Sequence, residues 1–229
     1  MTTRRTVKGA NQLIVGVIAS PADLQFAVAM RQPPDLFELR LDYLCGRLDQ
    51  VERKVSILSA KGRIIITARD PREGGANNLS LQQRHNLLRH FLPHAKYVDV
   101  ELRLARAFRE LLARARKQNA RVILSFHDFK STPSPRSLRA KAALAKAHGA
   151  NIFKVATRTE TPAELARLVD FVMNKDSDLA VSAMGIGQLG AISRLLLASG
   201  GSVLNYASLH KSRVKGQLPI DLLRSALAH

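Results

Sequence analysis

The chain has 229 residues, is 46% hydrophobic, and carries a formal charge of +18 from 36 lysines and arginines against 18 acids. That length suits one large domain or two small ones with a real core, and no apolar run approaches the ~18–20 residues that cross a bilayer. A single cysteine, Cys45, leaves no partner for an internal disulfide and points to a reducing compartment, so a cytoplasmic location is expected; no Cys/His cluster has zinc spacing.

The excess charge attracts polyanions, but it is dispersed, lacks aromatic interleaving, and comes with no zinc-finger, RNA-recognition or KH signature. Specific nucleic-acid binding is therefore not expected, while weak attraction at low salt is.

In chain order, the opening MTTRRTVKGA puts basic residues ahead of an apolar run, as targeting segments do. Gly16 and the brevity of LIVGVIA fit a first strand instead, QLIVGVI at 12–18. A helix over 21–31 follows, opened by Ser20-Pro21. Strands are expected at 36–41 (LFELRL) and 63–69 (RIIITAR), then a helix at 80–92 capped by Ser80. KYVDVEL (96–102) reads as a strand, and 103–121 as an amphipathic helix with a solvated basic face. RVILSFH (121–127) precedes a helix over 134–149, opened by Ser134-Pro135 and closed by Gly149. NIFKVA (151–156) precedes a helix at 161–175 opened by Thr161-Pro162; LAVSAM (179–184) precedes one at 187–199. SVLNYA (202–207) is the last strand, and DLLRSALAH the last helix. Eight strands alternating with helices, without a linker or short repeat, predict a single-domain (β/α)8 TIM barrel over residues 1–229.

Chemistry in such barrels gathers at the C-terminal ends of the strands. Those ends carry Glu38, Arg40 and Asp42, then Arg69 and Glu73, Asp99 and Glu101, His127 and Asp128, Lys154 and Arg158, and Ser182 and Met184. Alternation puts Glu38, Arg40 and Asp42 on one side of their strand. Charges facing a barrel interior need partners. Lys154, within NIFKVATR, is the sharpest case: an interior lysine suits imine-forming catalysis, whereas a lysine at a strand edge would snorkel to water. His127 reads as a general base or as a strand-end histidine bonded to backbone.

FELRLDYL, ITARDPREGG, YVDVEL, SFHDFKSTPS, FKVATRT, SAMGIGQLGAISR and KGQLP, in that order over roughly 36–219, resemble the successive motifs of type I 3-dehydroquinate dehydratases. The resemblance implies a cofactor-free, metal-free lyase of the shikimate pathway that dehydrates 3-dehydroquinate to 3-dehydroshikimate through a Schiff base. It implies that Lys154 forms the imine, that His127 is the general acid and base, and that Glu73 completes the catalytic set by orienting His127. Arg194 would take the substrate carboxylate, Glu38, Arg40 and Arg69 the ring hydroxyls and charge network, Gln217 the lid contact, and Met184 the wall beside the lysine. Asp99 and Glu101 are expected to be structural partners of basic groups. Burial and the cations Arg40, Arg69 and Arg194 are expected around the lysine. A homodimer is the implied assembly, with a small-molecule substrate and no membrane partner.

Two departures from the family pattern stand out. Arg213-Val214-Lys215 replaces the family's Ser-Ala-Pro in the lid, which bears on closure and affinity, and Ala68 replaces a bulkier residue before Arg69. The rival readings are another Schiff-base barrel such as a class I aldolase, for which the glycine-rich GIGQLG (185–190) would cradle a phosphate, a basic nucleic-acid-binding protein, and a barrel whose altered lid has abolished activity.

Overall fold

The computed structural model describes residues 12–174 and 178–228. The basic opening stretch, the end of the helix expected at 161–175 and His229 therefore lie outside the described residues. All eight expected strands form and run parallel: β1 Leu13–Ile18, β2 Leu36–Arg40, β3 Arg63–Thr67, β4 Tyr97–Glu101, β5 Arg121–Asp128, β6 Ile152–Arg158, β7 Ala180–Ile186 and β8 Leu204–Ser208. The helices between and after them are α1 Pro21–Ala29, α2 Leu41–Leu44, α3 Leu48–Lys61, α4 Leu81–Phe91, α5 Arg109–Lys117, α6 Pro135–Ala147, α7 Pro162–Met173, α8 Gly190–Ser199 and α9 Ile220–Leu227.

Each strand pairs with the next in sequence from β1 to β7, and β1 also pairs with β8. The last joint, between β7 and β8, is made differently. Val203 N donates to Val181 O at 2.9 Å, Ser182 Oγ to Leu204 O at 2.7 Å, and Ala183 N to Ser202 Oγ at 3.0 Å. The sheet thus closes as a (β/α)8 barrel.

Alternation along the strands sorts the side chains. The interior holds Val15, Leu36, Ile65, Tyr97, Ile123, Ile152 and Leu204. The opposite faces pack Phe37, Leu39, Ile64, Val98, Leu124 and Phe153 against the helices. Two residues further along several strands, the interior position turns polar or charged: Glu38, Thr67, Asp99, Ser125 and Lys154. The apolar layer is therefore the floor of a site.

The helix starts follow the sequence signals. Ser20, Ser80, Ser134 and Thr161 accept hydrogen bonds from the backbone N–H of Asp23, Gln83, Ser137 and Glu164, each cap contributing about 1 kcal/mol. Three local expectations are corrected. Asp42 does not extend β2, because the chain turns helical after Arg40 and Asp42 lies in α2. The basic segment 103–121 is helical only over α5; a 3-10 turn at Leu102–Leu104 precedes it, and Asn119, with φ 57°, ends it in a left-handed turn. Helix α3 was not among the expected helices, although Val51, Val55 and Leu58 form its buried stripe at helical spacing. Among the described residues, no helix is long and apolar enough to cross a membrane.

Candidate active site

Lys154 sits in the middle of β6, is 4% exposed, and is the only buried lysine among the described residues. Its cross-strand neighbours are Ser125 on β5 and Ser182 on β7, small enough to leave the long side chain room inside the barrel. The amine lies 3.0 Å from Asp99 Oδ2 and 3.3 Å from Glu38 Oε1. It also stands 4.0 Å from the centroid of the Tyr206 ring, a cation–π contact. This corrects one expectation: the charges touching the amine are carboxylates, and the arginines stand behind them. A buried ammonium needs such partners, because unpaired charge in a desolvated interior is costly.

Those carboxylates belong to a larger array. Thr67 Oγ1 donates to Glu38 Oε1 at 2.8 Å. Arg69 donates through Nη2 to Asp99 at 2.9 Å, and through Nη1 to Glu101 at 3.2 Å and Ser125 Oγ at 2.5 Å. Ser125 in turn donates to Asp99 Oδ1 at 2.6 Å. Burial opposes the Arg69 charge, but Asp99 and Glu101 outweigh it and raise its pKa. Burial likewise opposes the Asp99 charge, yet Arg69 and Lys154 hold its carboxyl well below the usual range. Asp99 and Glu101 are thus partners of interior cations, as expected.

His127 follows from an unusual turn after β3. Asp70 accepts from Arg72 N and opens a 3-10 turn, Pro71–Glu73, that ends at Gly74 with φ 83°. A Cβ on Gly75 would lie 2.1 Å from the Arg69 carbonyl oxygen, so only glycine fits there. The turn drives Glu73 back toward β5, where its Oε2 accepts from the backbone N–H of His127 at 3.0 Å and lies 3.0 Å from the ring Nδ1. Burial pushes the Glu73 carboxyl up to about 7, against the opposing pull of Arg69. Burial, with Arg69 and Lys154, lowers His127 well below 6.5. The neutral imidazole is thereby favoured over the imidazolium.

A cavity of about 280 Å³ opens at this end of the barrel. It brings together Glu38, Arg40, Arg69, Glu73, His127, Lys154, Met184, Arg194 and Gln217, the residues to which the family resemblance gives catalytic and substrate-binding roles; Asp42, Asp128, Arg158 and Ser182 do not line it. Arg40 pairs with Asp42 at 2.8 Å and lies over the Tyr43 ring at 4.8 Å. Arg194, on α8, is 4% exposed and donates to Gly216 O at 3.0 Å and Tyr206 O at 3.2 Å. No carboxylate pairs with it among the described residues, and burial lowers its pKa to about 10. It is a fixed cation without an anion.

The lid between β8 and α9 contributes Lys211, Arg213, Val214 and Gln217 to the cavity wall. Arg213 lies 5.0 Å from the Tyr43 ring centroid, so the altered lid reaches across the mouth to α2. Tyr43 and Tyr206 are the site residues that the sequence reading missed. Tyr206 could have been found by period two in β8, from Leu204 through Tyr206 to Ser208; Tyr43 lies past the strand and left no such signal.

GIGQLG does not form an open phosphate cradle. Gly187 N donates to Lys215 O, Gln188 N to Glu160 Oε2, Leu189 N to Thr159 O and Gly190 N to Gly187 O. A Cβ on Gly187 would meet Glu160 Oε1 at 2.5 Å, so a carboxylate occupies the place an anion would need. The segment seats the lid: Gly190 approaches Gly216 so closely that an added Cβ would lie 2.9 Å from its Cα.

The fold and the cavity define a (β/α)8-barrel enzyme with an interior lysine, a carboxylate-held histidine and a cationic wall. The family model for type I 3-dehydroquinase matches residues 19–229, and the chain belongs to that family. The chain is 37% identical over 212 residues to the 3-dehydroquinate dehydratase of Shouchella clausii, covering 88% of this chain and 82% of the relative. It is 32% identical to that of Aromatoleum aromaticum, covering 99% and 95%. The crystal structure of 3-dehydroquinate dehydratase from Geobacillus kaustophilus superposes with a TM-score of 0.87 at 26% identity, covering 96% of this chain and 91% of that one.

Proposed function

We propose that the protein dehydrates 3-dehydroquinate to 3-dehydroshikimate through an imine on Lys154, and that it serves the shikimate route to chorismate and the aromatic amino acids. The observation that carries this reading is that the buried Lys154 and, on the adjacent strand, His127 line one cavity. Family membership and the named activity of the Shouchella and Aromatoleum relatives support the substrate. The single cysteine supports a cytoplasmic setting, and the family resemblance a one-domain enzyme acting as a homodimer.

The chemistry follows from the geometry. The neutral Lys154 amine adds to the C3 ketone and water leaves, giving a protonated imine that draws electrons from C2. His127 takes the C2 proton on Nε2 while Glu73 holds Nδ1. The electron pair released at C2 expels the C1 hydroxyl, which leaves as water with the proton from His127. Hydrolysis of the imine returns the amine and releases the enone. One water is lost overall. Glu38, 3.3 Å from the nitrogen, is placed to receive the proton it sheds as the carbinolamine forms, while Asp99, 3.0 Å away and held ionised by Arg69 and Lys154, stays an anion beside the iminium charge.

Binding rests on anion and hydroxyl recognition. Arg194, desolvated and without a carboxylate, suits the substrate carboxylate. Arg69 already gives its guanidinium donors to Asp99, Glu101 and Ser125, so it acts through the charge network. Gln217 caps the ring from the lid, and Met184 walls the cavity beside Lys154.

Borohydride trapping tests the reading. Reduction in the presence of substrate should leave one label, on Lys154, and Lys154→Ala should lose both label and turnover. Label scattered over surface lysines, or turnover in Lys154→Ala, would refute it, as would a folded wild type that generates no enone absorbance from 3-dehydroquinate.

A further inference from the structure

Arg103 lies just after β4, outside the cavity wall, with a half-buried side chain 35% exposed. Its guanidinium grips two carboxylates at once. Nε donates to Glu73 Oε1 at 3.1 Å, and Nη2 pairs with Asp70 Oδ1 at 2.5 Å. The other Glu73 oxygen, Oε2, accepts from the His127 backbone N–H and lies 3.0 Å from Nδ1. One carboxylate therefore has an arginine on one oxygen and the histidine on the other, and its rotation is fixed from both sides.

Two chains of alternating charge meet at Arg103. One runs through Glu73 to His127. The second runs from Asp70 to Arg84 at 2.6 Å, from Arg84 to Glu101 at 3.1 Å, from Glu101 to Arg69 at 3.2 Å, and through Asp99 to Lys154 at 2.9 and 3.0 Å. Arg69 is the other cation near Glu73, but it makes none of its hydrogen bonds to it. Arg103 is thus the arginine in direct contact with Glu73, and the contact lies on the oxygen that the histidine leaves open.

We infer that Arg103 is a positioning residue that keeps Glu73 an acceptor and so fixes His127 in the tautomer with Nδ1 protonated and Nε2 bare. This rests on the dehydratase reading of the site. The physical case is that a buried carboxylate tends to take up a proton. A protonated Glu73 could donate to Nδ1, which would move the ring proton to Nε2 and remove the base. The groups facing Glu73 are Arg69, Glu101, Arg103 and the His127 backbone N–H; burial raises its pKa most and Glu101 adds to that, while Arg69, the His127 N–H and Arg103 oppose it. Those facing His127 are Arg69, Lys154, Asp99 and Arg40. A guanidinium has the two-pronged shape to hold Glu73 and Asp70 together; an ammonium supplies the charge without the fork.

The test compares wild type, Arg103→Gln and Arg103→Lys by the pH dependence of kcat/KM and by the ring ¹⁵N NMR signals of His127. In Arg103→Gln the low-pH limb should move upward by roughly half a unit to one unit, the low end for a partly exposed charge. kcat should fall several-fold at unchanged KM, and the ring should lose its Nδ1–H preference. Arg103→Lys should restore much of the limb position and less of the tautomer preference. A wild-type limb and wild-type ring signals in Arg103→Gln would overturn the inference while leaving the dehydratase reading intact; an inactive wild type would sink that reading instead. Should Arg103→Gln fail to fold, the wild-type spectrum decides: a proton on Nε2 at pH 7 overturns the inference.

Discussion

Asp99 Oδ2 stands 3.0 Å from the Lys154 amine, buried in the barrel beside Glu38, whose Oε1 lies 3.3 Å from the same nitrogen. The same oxygen lies 2.9 Å from Arg69, so one carboxylate neutralises two buried cations. Asp99→Asn should therefore lower stability by about 3–5 kcal/mol, the cost of stranding a buried charge. The pH sign follows from the depressed pKa. The stabilisation is present above the usual 3.8 and is lost as pH falls through the lower folded value. Urea unfolding should show the gap between wild type and Asp99→Asn persisting at pH 4. A gap that closes between pH 6 and 4.5 would contradict this.

His127→Ala removes the base but leaves the amine. kcat should fall ~10²–10⁴-fold, while borohydride still traps substrate on Lys154. In the wild type, burial with Arg69 and Lys154 disfavours the imidazolium, so the ring should stay neutral well below pH 6.5, while the low-pH limb of kcat/KM should follow Glu73, pushed up to about 7. Ring ¹⁵N signals and kcat/KM from pH 4.5 to 8 check this; an imidazolium that forms above pH 6.5 would count against the assignment.

Arg194→Ala should raise KM far more than it disturbs folding. Removing one partner of a desolvated arginine–carboxylate pair costs roughly 2–5 kcal/mol, which is about 30-fold or more. Steady-state kinetics beside thermal melting separates the two effects. A near-normal KM would hand the carboxylate to Arg213 or Lys211, the lid cations on the same wall.

Arg213→Ser restores the family's small lid residue and removes the contact with Tyr43. An exposed cation–π pair contributes ~0.5–1 kcal/mol, so KM should change only by a few-fold, with kcat nearly constant. A large fall in kcat would show that the lid, rather than the imine chemistry, limits turnover.

The strands were legible because each is a short β-branched or apolar run with period two and a polar end; KYVDVEL holds Val98 and Val100 to the helices while Asp99 faces the interior. The meeting of Lys154 and His127 in one cavity was legible for the same reason, since both occupy interior positions of neighbouring strands. Helix α3 went unnamed although its sequence carries the helical stripe of Val51, Val55 and Leu58. Asp42 was placed on a strand because alternation continues past Arg40 on paper, while the backbone turns helical there. Arg103 was lost in a run of basic residues: its role depends on Asp70 and Glu73, which reach it from the turn after β3, and no periodicity within 103–121 encodes that contact. Arg84 was hidden in the same way, since a helix arginine reads as solvent-exposed until Glu101 and Asp70 are brought around it.

The β7–β8 joint gives the cylinder a weak stave. Other neighbouring strands share a full backbone ladder, but here Ser182 and Ser202 hydroxyls do much of the fastening. With fewer backbone hydrogen bonds to break than its neighbours, this line is where local opening should begin. β8 carries Tyr206, the ring beneath the lysine, and leads directly into the lid. Motion at that joint would therefore move the ring against Lys154 and the lid together.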